Sequence, residues 1–184
     1  KGQAVPELAE TLEPSADAKT WVAKLRQGVE FHSGKTLDAD DVIASIAWHS
    51  REGSTSAANA VAKSMGNIRK DGPNTVIFEL ESGNADFPYL LSDYHILIGP
   101  ADSSGNIDWE AGDGTGAYSI KSFEPGVRAC ARARRCGCER ERERRHEMMG
   151  CPKPRDIWTH RSQDQVSRHR WQNVGKQLYL HIGG

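Results

Sequence analysis

The eighteen residues from Leu25 to Val42, LRQGVEFHSGKTLDADDV, constrain this chain more than any other stretch. Leading into them, Thr20–Arg26 alternates, with Trp21, Ala23 and Leu25 on one side and Val22, Lys24 and Arg26 on the other. That period of two predicts a half-buried strand. Gly28 breaks it, Val29 and Phe31 carry an apolar side onward, and Ser33-Gly34-Lys35 reads as a turn. Asp38 then starts a helix. Its carboxylate can accept from the amide of Asp41, and Asp40 and Asp41 lie at the positive end of the helix dipole. Val42, Ile43, Ile46 and Ala47 fall on one helical stripe, which Trp48 and His49 widen or end.

The rest of the first two thirds alternates short elements with turns. Ser50 to Ser56 is a polar loop, Ala57–Met65 reads as a short helix, and Gly66 supplies a left-handed stop. Ile68–Lys70 and Thr75–Leu80 flank Asp71-Gly72-Pro73-Asn74 and predict a hairpin, with Val76, Phe78 and Leu80 on its apolar side. Phe87–Ser92 reads as a short helix and His95–Ile98 as a brief strand ended by Gly99-Pro100. Residues 101–113 form an acidic loop containing Trp109, and Ala117–Phe123 with Val127–Ala129 form a second hairpin turning on Glu124-Pro125-Gly126. The pattern predicts a mixed α/β fold of antiparallel hairpins and short helices, without the βαβ alternation of a Rossmann domain.

Composition divides the chain. Residues 1–129 hold 11 Lys+Arg against 19 Asp+Glu, whereas residues 130–184 hold 13 against 6 and all four cysteines, Cys130, Cys136, Cys138 and Cys151. The two parts therefore need separate readings. An acidic part without cysteine suits an exported protein. No apolar run reaches the ~18 residues of a membrane span, and no signal peptide is seen. The chain opens at Lys1 in what reads as a loop before a strand, so a fragment lacking its N-terminus is expected.

Five blocks, in order, carry a resemblance. They are Val5-Pro6-Glu7-Leu8-Ala9-Glu10, Trp21–Arg26, Gly28–Gly34, Leu37–Val42 and Gly114-Thr115-Gly116-Ala117-Tyr118. Together they resemble the P-x-L-A-E, W-x-F-x-L-R, G-V-x-F-H-x-G, L-T-A-D-D-V and G-T-G-P-Y stretches of bacterial extracellular solute-binding proteins of family 5, the peptide-, dipeptide- and nickel-binding receptors of ABC importers. Ala23 stands for the family's usual Phe, Asp38 for Thr and Ala117 for Pro. The resemblance covers about Gly2 to Ala129. It implies a partial lobe of a type II periplasmic-binding-protein fold, lacking the second lobe, the hinge and the final strands. It further implies a monomeric, non-enzymatic receptor outside the cytoplasmic membrane. Such a receptor captures a peptide-like solute for an ABC permease and needs no cofactor.

Candidate site residues are few. Tyr94 and His95 lie near where the cleft wall of such a receptor would run, and they are the candidate ligand contacts, although a core role is the favoured reading for both. His32 reads as a turn histidine beside Phe31, since no Cys, Asp or His stands at ligand spacing from it. His49 suits the negative end of a helix. Asp38, Asp40 and Asp41 read as caps rather than as a metal loop, which would spread more oxygens over a longer segment. Gly114-x-Gly116 lacks the third glycine and following helix of a phosphate loop. No nucleophile elbow or Cys nucleophile occurs in residues 1–129.

The tail, residues 130–184, is rich in Arg and Cys and shows little helical or strand period beyond Gly150, with Trp158 and Trp171 isolated among polar residues. It is expected to lack a packed core. The favoured origin is a frameshift or mis-spliced reading after Ala129, where the family would continue with a K-R-N-P-x-Y-W stretch. A natural interaction tail that binds nucleic acid through its arginines is the alternative. A zinc site from Cys130, Cys136, Cys138, His146 and Cys151 is a third reading that the Cys-x-Cys spacing fits poorly.

Overall fold

The computed structural model describes residues 3–124, 128–133 and 179–182. These belong to two compact units, residues 1–115 with 175–184, and residues 116–174. In the first unit β1 (Gln3–Pro6) pairs antiparallel with β8 (Tyr179–Ile182), while β2 (Ala9–Pro14), β3 (Thr20–Leu25), β5 (Thr75–Glu79) and β4 (Asn67–Lys70) form an antiparallel sheet in the order β2-β3-β5-β4. The helices are α1 (Ala39–Ser50), α2 (Asn59–Ser64) and α3 (Phe87–Leu90). The second unit is described by one hairpin, β6 (Tyr118–Glu124) with β7 (Arg128–Ala133). The fold is therefore mixed α/β with antiparallel sheets, as the hairpin pattern predicts.

The alternation in β3 decides which face of the sheet is covered. Trp21, Ala23 and Leu25 are buried, and so are their neighbours Val76 and Phe78 on β5, whereas Lys24 is exposed. Val42 and Ile46 of α1, Ala62 of α2, and Phe87 with Leu91 at α3 complete this core. An aromatic trio sits at its centre: the Phe87 ring lies 5.0 Å from Phe78 and 5.6 Å from Trp21, both in inclined geometry, the arrangement ring quadrupoles favour. Ile77 points to the other face yet is also buried, because β5 is flanked by β3 and β4, with Val22 and Arg69 beside it in register.

Two joints fix the ends of α2 and β4. Gly66, just beyond α2, has φ +69°, and a Cβ there would stand 2.1 Å from the carbonyl oxygen of Glu79. The position thus excludes other residues both by conformation and by space. On the exposed side, Glu79 accepts from Arg69 at 2.8 Å and from Asn67 at 3.0 Å, closing the β4–β5 register by side chains as well.

The structure corrects the sequence reading in several places. β2 is a strand where none is predicted: AETLEP alternates poorly because it lies at the edge of its sheet, and only Ala9 in it is buried. The brief strand expected at His95–Ile98 is instead an irregular segment that nonetheless buries Ile96, Leu97 and Ile98. The buried stripe of α1 is Val42, Ser45, Ile46 and His49, with Ile43 half-buried and Ala47 exposed. β7 runs on to Ala133 rather than stopping at Ala129, since a backbone ladder needs only that β6 extend alongside it. β8 lies in a region read as lacking strand period; Leu178, Leu180 and Ile182 alternating with Tyr179 and His181 was the available signal. Trp158, Trp171 and the cysteines beyond Cys130, with the nucleic-acid and zinc readings built on them, lie outside the described residues.

The aromatic trio should dominate the stability of this unit. Phe78→Ala removes a fully buried ring on one of the two inner strands of the sheet, and equilibrium urea unfolding should show a loss of about 3–5 kcal/mol. A loss below about 1 kcal/mol would mean that the ring is not packed as described.

Candidate functional site

The Leu25–Val42 block folds into a turn and a helix start organised around one carboxylate. Asp38 caps α1 by accepting from the Asp41 amide at 3.1 Å, and the Asp41 side chain reaches back to the Asp38 amide at 3.0 Å, a complete capping box. The Asp41 carboxylate is fully buried and also receives Lys35 Nζ and, at 2.7 Å, the backbone N–H of Ala101. Burial pushes the Asp41 carboxyl above the ordinary aspartate value, and the three donors pull back against that shift. Asp40, by contrast, is an exposed partner of Lys70 at 2.8 Å. The acidic cluster thus splits into two cap residues and one surface ion pair.

His32 belongs to a clasp between two loops. Its N–H donates to the carbonyl of Gly114 at 2.9 Å, while the Gly114 N–H donates back to Nδ1 of the His32 ring at 3.3 Å. The Ser33 N–H donates to the Asp113 carboxylate at 3.2 Å. The F-H-S-G turn and the G-D-G-T loop, 82 residues apart, are therefore joined by reciprocal bonds. The same arrangement holds Gly114 and the buried Thr115 in the turn that leads toward β6.

Further along α1, His49 is buried at the edge of an aromatic group. Trp48 packs against Trp109 with centroids 5.6 Å apart, Arg51 lies 4.4 Å over the Trp48 ring, and the His49 ring stands 6.3 Å from Trp109. His49 Nδ1 bonds Ser56 Oγ at 2.6 Å, and its buried Nε2 has no hydrogen-bond partner among the described residues. The sequence reading placed His49 at a helix end for its charge; its burial was missed.

Tyr94 and His95 stand side by side. Tyr94 is 48% exposed, its ring centroid lies 3.8 Å from that of His95, and His95 Nδ1 pairs with the Asp93 carboxylate at 2.8 Å. The Asp93 carboxylate also accepts from the His95 amide at 2.9 Å, so one residue fixes both ring and backbone. This leaves a half-exposed aromatic ring against a partly exposed imidazole that Asp93 orients. Tyr89, on α3, is a second exposed ring. Among the described residues no cluster of three His, Cys, Asp or Glu side chains has the geometry to hold a metal.

Comparison with known proteins places this fold. The chain belongs to the bacterial extracellular solute-binding proteins of family 5: the family's model, for its middle region, matches residues 3–133. A probable di/tripeptide-binding protein 5 of Pseudomonas aeruginosa is 34% identical over 109 residues, covering 50% of this chain and 21% of that protein. The oligopeptide-binding protein AppA of Bacillus subtilis, solved with a nonapeptide, superposes with a TM-score of 0.60 at 22% identity over 70% of this chain and 27% of its own. The binding protein MoaA of A. tumefaciens R10, solved with mannopinic acid, gives 0.59 at 26% identity over 69% and 27%. The chain therefore spans about a fifth of the curated relative it matches. Its fold is that of part of a type II periplasmic binding protein. Among the described residues no helix is long and apolar enough to cross a membrane.

The buried His49 has a consequence in solution. Burial holds its pKa below the ordinary histidine value, with His95 and Arg51 lowering it further and Asp93 raising it. As pH falls through about 6.5 the unfolded chain takes up a proton that the native state resists, so this contribution is whole above that pH and declines below it. Urea midpoints should fall between about pH 7 and pH 5, and His49→Asn should flatten that fall. An equal slope in the variant would place the pH dependence elsewhere.

Proposed function

We propose that this chain is a lobe-one part of the substrate-binding component of an ABC importer. In this reading the parent protein is a monomer that captures a peptide-like solute outside the cytoplasmic membrane and delivers it to a membrane permease. It uses no cofactor and carries out no catalysis. The observation that carries the reading is the family match across residues 3–133, which spans every block of the resemblance. The di/tripeptide-binding relative, at 34% identity, supports a peptide-like ligand.

Within this reading Tyr94 and His95 touch the solute. An exposed ring lying tilted against an oriented imidazole presents an apolar face and a polar edge together, which suits a peptide side chain or backbone amide. Residues 1–129 carry the role.

A receptor of this kind gains affinity by closing two lobes over the ligand and excluding water, so one lobe leaves the ligand half solvated. Calorimetric titration of the 184-residue chain with a di- and tripeptide mixture should therefore show no binding tighter than about 100 µM. A chimera of the Pseudomonas relative carrying this chain's matching region should bind the same peptides, and Tyr94→Ala within it should weaken binding about tenfold. A folded chimera that binds no peptide would overturn the functional reading, and an unchanged affinity in the Tyr94 variant would remove that residue from the site.

A further inference from the structure

We propose that the end of the Arg- and Cys-rich tail is a built-in partner strand: Tyr179–Ile182 completes the first unit by occupying the edge of β1. Four residues pair in continuous antiparallel register, Gln3 with Ile182, Ala4 with His181, Val5 with Leu180 and Pro6 with Tyr179. Residues 175–184 belong to the same compact unit as residues 1–115, although the chain leaves that unit at Thr115 and runs through residues 116–174 before returning.

Three observations make this pairing consequential. Among the described residues β8 is the one strand that forms a ladder with β1. A single strand has no internal hydrogen bonds, so without β8 the carbonyls and the β8-facing amides of Gln3–Pro6, in which Pro6 has no N–H, depend on water for partners. Next, β1 is coupled to the core: Ala4 packs against it, and Leu8 and Ala9, just after the strand, are 1% and 0% exposed. Lastly, Gln177-Leu178-Tyr179-Leu180-His181-Ile182 alternates in the manner of a strand, in contrast to the Arg/Glu-rich run before it. The alternation and the register meet on the same residues. The occupant is therefore this chain's own terminus rather than a foreign strand, and the tail has a structural task at its far end whatever the origin of the residues between.

The test uses the full chain. Replacing both Leu180 and His181 by Pro removes every ladder donor at the centre of β8, whichever of the two faces β1. A control carries the same double replacement at Gln163 and Asp164. Amide hydrogen exchange is read at Gln3, Ala4 and Val5, and at β3 and β5 as a monitor of the sheet. L180P/H181P should speed exchange at least tenfold at whichever of Ala4 and Val5 directs its amide to β8, while the control matches the parent. Loss of protection through β3 and β5 as well, with the control intact, would also support the proposal, since it would show that the unit needs its closing strand. Unchanged exchange at residues 3–5 would overturn it. So would sedimentation of the parent as a dimer that loses both its protection and its dimeric state in L180P/H181P, which would assign β8 to a second copy.

Discussion

The Asp41 carboxylate is the constraint on which the site depends. It is fully buried, and it gathers the Lys35 ammonium from the signature turn, the Asp38 amide from the helix cap and the Ala101 amide from a loop sixty residues away. A buried carboxylate is costly unless its lone pairs are used, and here each donor comes from a different part of the unit. The arrangement recurs along the helix. Ser45 bonds the Asp41 carbonyl at 2.7 Å and accepts from the Gly99 amide at 3.1 Å, and His49 bonds Ser56 and faces Trp109. Asp41, Ser45 and His49 recur every four residues and so form one ridge. Val42 and Ile46, beside that ridge, pack into the core with the sheet. Helix α1 thus carries an apolar ridge for the sheet and a polar ridge for the loop that begins at Gly99.

That division explains why the loop can be irregular and still ordered. Residues 101–113 contain Asp102, Asp108, Glu110 and Asp113 with no basic residue. Their carboxylates are occupied locally: Asp102 accepts from Ser104 and Asn106, and Asp108 from Glu110 and Ala111. Gly99 admits the loop, since a Cβ there would lie 2.9 Å from Ile107 and 3.1 Å from the Trp109 ring. The loop then reaches the His32–Gly114 clasp. Residues of the Gly28–Gly34 and Leu37–Val42 blocks, with Lys35 between them and Gly114, therefore hold α1, the Gly99–Thr115 segment and the F-H-S-G turn to one another. The proposed solute contacts at Tyr94 and His95 sit just ahead of that segment.

Legibility in the sequence followed how directly each residue's environment is encoded by its neighbours. Trp21, Ala23 and Leu25 alternate and are buried by that alternation, and Asp38 caps because it stands before a helical run; both were readable. Gly66 and the Asp71–Asn74 turn were readable for the same local reason. The burial of Ser45 and His49 was not, because polar side chains go inside only where distant partners such as Gly99 wait for them. The edge strand β2 was missed because an edge strand exposed to water has little need to alternate. His95–Ile98 has the composition of a strand, yet its apolar side chains are buried without a ladder. The loop partners of Asp41 and His32 lay beyond any local reading, since they are 60 and 82 residues away.

The most direct measurement of the central claim is Asp41→Ala, followed by urea unfolding and by amide exchange at Ala101. The substitution leaves the Lys35, Asp38 and Ala101 donors without their shared acceptor. It should cost at least about 2 kcal/mol, and it should bring the Ala101 amide to the exchange rate of an exposed loop while the β3–β5 ladder keeps its protection. A variant as stable as the parent, with Ala101 still protected, would show that the loop is held by other means and that the buried carboxylate is not what ties the signature turn, the helix and the loop together.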